Sequence, residues 1–223
     1  LEFRRVLFRS SVKDFMSTNL ITVSPTTPIF DAVDLMKQHK IHRLPVVEGT
    51  TLIGLITEGV IQEALPSKAT SLSVYEVNYL LNKTSVKEIM IKKVETIGPD
   101  ALLEDGIAQM RQNNVGVLPV IEEGKLVGII TNNDIFDAFL KITGYYAGGT
   151  RVSLAVDNDH PGVLADITRV LAQKQLSILT VVVDRQSDQT VVELQIETKE
   201  AQLVKDILSD AGFTVISAVV TNP

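Results

Sequence analysis

Gly128-Ile129-Ile130-Thr131-Asn132-Asn133-Asp134 decides how this chain is read. It follows the apolar run Leu118-Pro119-Val120-Ile121 and the polar turn Glu122-Glu123-Gly124-Lys125. Two short apolar runs joined by a glycine-bearing turn predict a β-hairpin. The second run ends in a threonine, two asparagines and an aspartate, then enters the apolar pattern Ile135, Phe136, Phe139. That is a strand handing over to a helix. Thr131 or Asn132 can cap the helix, and the N–H groups at its start then face whatever sits at the strand exit. A hydroxyl, a helix N-terminus and an acceptor-only carboxylate suit a ligand with phosphate at one end and sugar hydroxyls at the other. A bare strand–cap–helix junction uses the same residues, so the stretch alone does not choose between the two.

The choice comes from a second, altered copy. Val12-Lys13-Asp14-Phe15-Met16 reappears as Val86-Lys87-Glu88-Ile89-Met90. Pro25 pairs with Pro99, Asp31 with Asp105, Met36 with Met110, Pro45 with Pro119, Gly54 with Gly128 and Thr57 with Thr131. Every pair keeps one spacing, 74 residues (99 − 25 = 74), with no gap. Such spacing marks a duplicated unit whose copies bury their apolar faces on each other.

Each copy predicts the same elements. A short strand over 20–23, and again over 94–97, meets a proline turn. Ile29, Val33 and Met36, and again Leu103, Ile107 and Met110, give a helix one buried face. Thr27 before Pro28 predicts a helix start, a capping hydroxyl followed by proline at the first helical position. A hairpin follows, 43–47 with 52–57 and 117–121 with 126–131, and a second helix closes the unit. The β-α-β-β-α order predicts an α/β unit with helices on one face of a small mixed sheet. Between the copies, 66–73 reads as loop and 74–81 as a short helix.

At Gly144-Tyr145-Tyr146-Ala147-Gly148-Gly149 the composition changes, and the glycines predict a linker and hinge. Beyond it, 152–156, 178–183, 191–196 and 215–220 read as strands. Leu164, Ile167 and Leu171 form one helix stripe, and Leu203, Ile207 and Leu208 another ending at Gly212. The order βαββαβ matches the ferredoxin-like pattern. The division expected is a non-native leader over 1–10, a first repeat with its insert over 11–82, a second repeat over 83–143, a linker over 144–150 and a different domain over 151–223. Residues 1–10 are basic and apolar, lack an initiating methionine, and have apolar runs too short for a signal-peptide core.

Composition narrows the function classes. The net charge of −6 argues against a nucleic-acid partner. No apolar run approaches the roughly 20 residues that cross a bilayer. There is no cysteine, so no disulfide framework or thiolate chemistry, which fits a reducing compartment and a cytoplasmic location. The three histidines, His39, His42 and His160, lie in two distant places, so a histidine metal cluster is not expected. No triad, Walker-type loop or metal set suggests an enzyme, and no cofactor is implied.

The Val-Lys-x-x-Met openings, the Leu-Pro-Val strands and the Gly-x-x-Thr-x-x-Asp ending make the duplicated unit resemble a tandem pair of cystathionine-β-synthase (CBS) domains. The segment with Asp159-His160-Pro161-Gly162-Val163-Leu164 resembles an ACT domain. The order CBS–CBS–ACT, with the insert over 69–81, is similar to the acetoin-utilisation B family. That resemblance implies a non-catalytic homodimeric regulator that binds AMP, ADP, ATP or S-adenosylmethionine between its repeats and acts on an unidentified protein target. The alternatives are a scaffold with vestigial ligand sites and an S-adenosylmethionine sensor.

Carried over by position, Asp134 holds the ribose hydroxyls and Thr131 the ribose or phosphate end. Ile97 and Ala101, flanking the Pro99 turn, help wall the base. Charge-assisted bonds from two hydroxyls to one carboxylate fit that role. The first repeat departs from the pattern: Thr57-Glu58-Gly59-Val60 keeps the threonine but places Val60 where the aspartate belongs. One nucleotide per pair is therefore expected, at the second repeat. Conversely, His42-Arg43 matches a pair that touches phosphates in relatives, and Gly116-Val117 replaces it in the second repeat. Arg43 either reaches across to that phosphate or is a solvated strand-end charge, and both readings stay open. In the ACT-like unit the resemblance implies a small effector such as an amino acid, contacted by Asn158, Asp159 and Gly162. A domain that only dimerises accounts for the same loop.

Overall fold

The computed structural model describes residues 11–64, 82–156, 160–185 and 189–222. The expectations for the leader over 1–10 and the insert over 66–81 lie outside the described residues. The chain divides into two compact units, Leu1–Ile135 and Phe136–Pro223.

In the first unit, α1 (Ile29–His39) leads to the hairpin β1 (Arg43–Glu48) and β2 (Thr51–Thr57), then α2 (Glu58–Ala64). The second copy opens with the single turn α3 (Val86–Ile89). It continues through α4 (Leu103–Gln112), the hairpin β3 (Val117–Glu122) and β4 (Lys125–Thr131), and α5 (Asn132–Ile142), whose residues from Phe136 onward belong to the second unit. The two hairpins share one register, Arg43 opposite Thr57 and Val117 opposite Thr131, with the irregularity at the same place in each. The predicted helix faces are the buried ones: Ile29, Met36, Leu103 and Met110 are all at most 5% exposed.

Two expectations for this unit change. The strands at 20–23 and 94–97 shrink to single parallel bridges, Val23 with Val46 and Ile97 with Val120. Both backbone groups of Val23 are used there, its N–H donating to Pro45 and its carbonyl accepting from Val47. The turns at Pro25 and Pro99 follow at once, and proline has no N–H to extend a ladder. Pro28, not Thr27, occupies the cap position of α1. The Thr27 carbonyl takes the Val86 N–H at 2.8 Å, and its hydroxyl takes the Ser24 N–H at 3.1 Å. Thr27 is thus committed to the second repeat's opening.

That bond belongs to a reciprocal exchange. The opening of each repeat packs on the other repeat. Val12 N–H donates to Ala101 and Lys13 N–H to Pro99; Val86 N–H donates to Thr27 and Lys87 N–H to Pro25. Ser17 pairs with Ile129 as Ile91 pairs with Leu55. Val86, fully buried, joins the core of the first repeat with Ile29, Met36, Leu44 and Ile56. A side chain on Gly54 would meet the Met90 sulfur, and one on Gly128 the Met16 sulfur. These glycines keep room for the exchanged methionines.

The second unit is β5 (Gly149–Val156), α6 (Val163–Gln173), β6 (Ile178–Arg185), β7 (Thr190–Ile196), α7 (Ala201–Asp210) and β8 (Thr214–Thr221). Its antiparallel sheet runs β6-β7-β5-β8, the ferredoxin-like order in which the first and third strands of the unit are neighbours at its centre. Val152, Leu154, Val192, Leu194 and Ile196 face Ile167, Leu171, Val204 and Leu208 of the helices. Two expected stripe residues miss this core: Leu164 is 40% and Leu203 44% exposed. Val204 and Leu208, four apart, define the buried face of α7, and Leu203 lies one helical step away from it.

The glycines read as a hinge are tied down. Gly148 carbonyl accepts from the fully packed Gln195 at 2.6 Å. Gly149 opens β5 at φ +107°, where a side chain would strike the Ile196 carbonyl. Glycine is required there by backbone conformation and by close approach.

Gly128→Ala should cost about 1–3 kcal/mol in urea unfolding, because the added carbon overpacks against Met16. Gly98→Ala, whose added carbon meets nothing within 4 Å, should be neutral or gain up to about 1 kcal/mol. A pH effect follows from α3. Ser85 N–H and hydroxyl both donate to Glu88, at 2.8 and 2.7 Å, and hold its carboxyl below the ordinary 4.5. A lowered acid stabilises the fold above its unfolded value and loses that contribution as pH falls through the folded one. The protection factors of the Val86 to Glu88 amides should therefore fall as pH drops below about 4.5, and Glu88→Gln should remove that dependence.

Candidate functional site

Thr131 ends β4 and caps α5. Its hydroxyl oxygen accepts the Asp134 N–H at 3.4 Å. Asp134 reaches back, its Oδ2 accepting the Thr131 N–H at 2.7 Å and the Thr131 hydroxyl at 2.6 Å. This is a reciprocal capping box with aspartate at the third helical position. The first repeat keeps half of it: Thr57 hydroxyl accepts the Val60 N–H at 3.2 Å, and no carboxylate returns the bond. The threonine is thus a cap in both repeats. The carboxylate is the part that differs, and its two oxygens have acceptor sites beyond the two Thr131 donors.

Asp134 and Thr131 border a cavity of about 310 Å³, at the small end of ligand sites. The first repeat supplies most of the opposite lining: Leu20, Ile21, Lys40, His42 and Arg43. Asn133 adds an amide, and Pro45 and Ile129 add apolar surface. Of the six residues expected on this unit, Thr131, Asp134, His42 and Arg43 share the cavity. Ile97 and Ala101 do not line it. Ile97 is buried against Val120, and the Ala101 carbonyl holds Val12. The reciprocal exchange explains this. Ser17 pairs with Ile129, which lays the residues after Ser17 beside the second repeat's β4. The apolar wall near Asp134 therefore comes from Leu20 and Ile21, while the Pro99 carbonyl takes the Lys13 N–H.

Charge is arranged unevenly. Lys40, His42 and Arg43 are basic and follow α1, whose last turn ends in Lys40 at φ +54°. His42 Nδ1 lies 2.9 Å from Glu58 Oε2. Among the described residues Arg43 makes no ion pair. Lys40 was not expected from sequence. Its signal was present as the end of the α1 stripe, but its direction is set by a left-handed turn residue.

In the second unit, Gly162 caps α6 at φ +109° and borders a shallow cavity of about 520 Å³ with His160, Val183, Arg185 and Thr190. His160 Nδ1 sits 3.0 Å from its neighbour's carbonyl, that of Pro161. Asn158 and Asp159 lie outside the described residues. Among the described residues no group of three metal-ligating side chains converges, and no helix is long and apolar enough to cross a membrane.

Against this geometry the comparisons speak clearly for the first unit. The profile of the CBS domain matches residues 12–67 and 86–141. The CBS domain-containing protein YhcV of Bacillus subtilis is 34% identical over 151 residues, covering 68% of this chain and 99% of YhcV. The chain therefore belongs to the CBS-domain family and carries a tandem pair of these domains. The crystal structure of CBSX2 in complex with AMP is 30% identical, with a TM-score of 0.51, covering 60% of this chain and 98% of that one. A crystal structure of an acetoin utilization protein (AcuB) from Vibrio cholerae is 27% identical, with a TM-score of 0.50, covering 59% and 90%.

The capping role is separable from any ligand role. Thr131→Ala should cost about 0.5–2 kcal/mol in thermal or chemical unfolding without added ligand, and Thr131→Ser should cost much less.

Proposed function

We propose that this chain is a regulatory protein that binds an adenine nucleotide, AMP, ADP or ATP, in the cavity at Asp134. The observation that carries the reading is the joint lining of one cavity by a carboxylate, an apolar wall and three basic side chains. Asp134 accepts ribose hydroxyls, Leu20, Ile21 and Pro45 enclose the base, and Lys40, His42 and Arg43 meet phosphate. The AMP in the CBSX2 structure supports this ligand class. Val60 in place of the aspartate supports one nucleotide per chain. Its regulatory effect requires that nucleotide bind two conformations unequally.

The second unit is proposed as an ACT domain that binds a small amino-acid-like effector near Gly162. The strand order and the glycine-capped α6 support that assignment. We place the protein in the cytoplasm as a homodimer, acting on a protein target of carbon metabolism rather than catalysing a reaction. A scaffold with empty sites is the competing reading.

Calorimetric titration of AMP, ADP, ATP and S-adenosylmethionine into the protein and into Asp134→Ala tests the site. One adenine nucleotide should bind near one per chain in the micromolar range, about −8 kcal/mol, and Asp134→Ala should abolish it. Heat from S-adenosylmethionine alone would assign the other ligand. No heat from any of the four would leave the scaffold reading. Light scattering should give twice the chain mass.

A further inference from the structure

We infer that Gly116 and Asn132 form a notch that seats the Arg43 guanidinium, and that this notch makes the cleft prefer ligands carrying phosphate. The inference rests on the nucleotide reading and adds two residues that do not line the cavity.

The repeat spacing exposes the notch. His42 of the first repeat corresponds to Gly116 of the second, and Glu58 to Asn132. The backbones of both pairs meet the same way: Glu58 N–H donates to the His42 carbonyl at 3.1 Å, and Asn132 N–H to the Gly116 carbonyl at 3.3 Å. In the first repeat the two side chains fill the space above that bond, His42 Nδ1 lying 2.9 Å from Glu58 Oε2. In the second repeat one side chain is missing. A carbon added to Gly116 would sit 2.9 Å from Arg43 Nη2 and 2.9 Å from Asn132 Nδ2. The vacancy left by the missing side chain is occupied by an arginine from the other repeat.

Gly116 is not glycine for the sake of its backbone, since its φ lies outside the left-handed range. The near atoms are the ends of two flexible side chains, so the fold tolerates an alanine by moving them. What moves is Arg43. Its neighbours in the notch leave its charge uncompensated: the Asn132 amide is neutral, and among the described residues Arg43 makes no ion pair. A planar guanidinium packed beside Gly116 and the Asn132 amide suits paired bonds to phosphate oxygens, and confining it there lowers the ordering cost of binding. Asn132 immediately follows Thr131, so the notch adjoins the carboxylate end of the same cavity.

The test compares ADP with adenosine by calorimetry on the full chain. Gly116→Ala should weaken ADP by about tenfold or more, the scale of one bond to a charged group, and leave adenosine unchanged. Arg43→Ala should do the same, and the double variant should show no further loss, because both changes remove one contact. Asn132→Ala, which leaves Gly116 in place, should also weaken ADP selectively and serves if Gly116→Ala unfolds. Equal weakening of ADP and adenosine, or full additivity with Arg43→Ala, would overturn the notch while leaving the nucleotide reading intact. Failure of the unaltered protein to bind either compound would overturn both.

Discussion

The exchange of opening segments between the two repeats is the constraint on which the first unit depends. Each opening contributes a buried valine, two backbone donors and a methionine to the opposite repeat. The Val12 N–H bonds Ala101 and the Val86 N–H bonds Thr27, both below 3 Å. A single β-α-β-β-α repeat cannot satisfy these carbonyls or fill the space beside Gly54 and Gly128. The pair is thus one cooperative body, and a cleft with walls from both repeats is a direct consequence.

The cleft is symmetric in backbone and asymmetric in content. The threonine cap repeats, Thr57 capping α2 as Thr131 caps α5, and the carboxylate return bond is present only in the second repeat. Only side chains distinguish the copies. Val60 removes a carboxylate from one junction, and Gly116 removes a side chain beside the other. Duplication supplies two similar cavities in principle, and a few substitutions concentrate acceptor and cationic groups in one of them. The helix cap explains why the threonine is needed in both repeats, whatever binds.

Much of the fold was legible because its signals are local or periodic. The 74-residue spacing is a strict period, while the apolar faces of α1 and α4 and the turn glycine Gly124 depend on near neighbours in the chain. So did the βαββαβ order of the second unit. The lining of the candidate cavity was legible in part. Thr131 and Asp134 follow from the junction, and His42 and Arg43 from comparing the copies. Ile97 and Ala101 were expected to wall the base because they flank the equivalent turn in the same repeat as Asp134. The cavity instead draws Leu20 and Ile21 from the other repeat, a pairing that no local signal encodes.

The sequence by itself therefore determined the duplicated unit, the position of the lone motif carboxylate and the loss of its counterpart at Val60. Those are properties of residue type at fixed spacing. Tertiary structure alone decided which wall faces Asp134, why Gly148 and Gly149 are anchored rather than free, and why Arg43 lies against Gly116. Each of these depends on segments far apart in the chain meeting at van der Waals distance. Packing at that range is set by the whole core and not by any window of sequence.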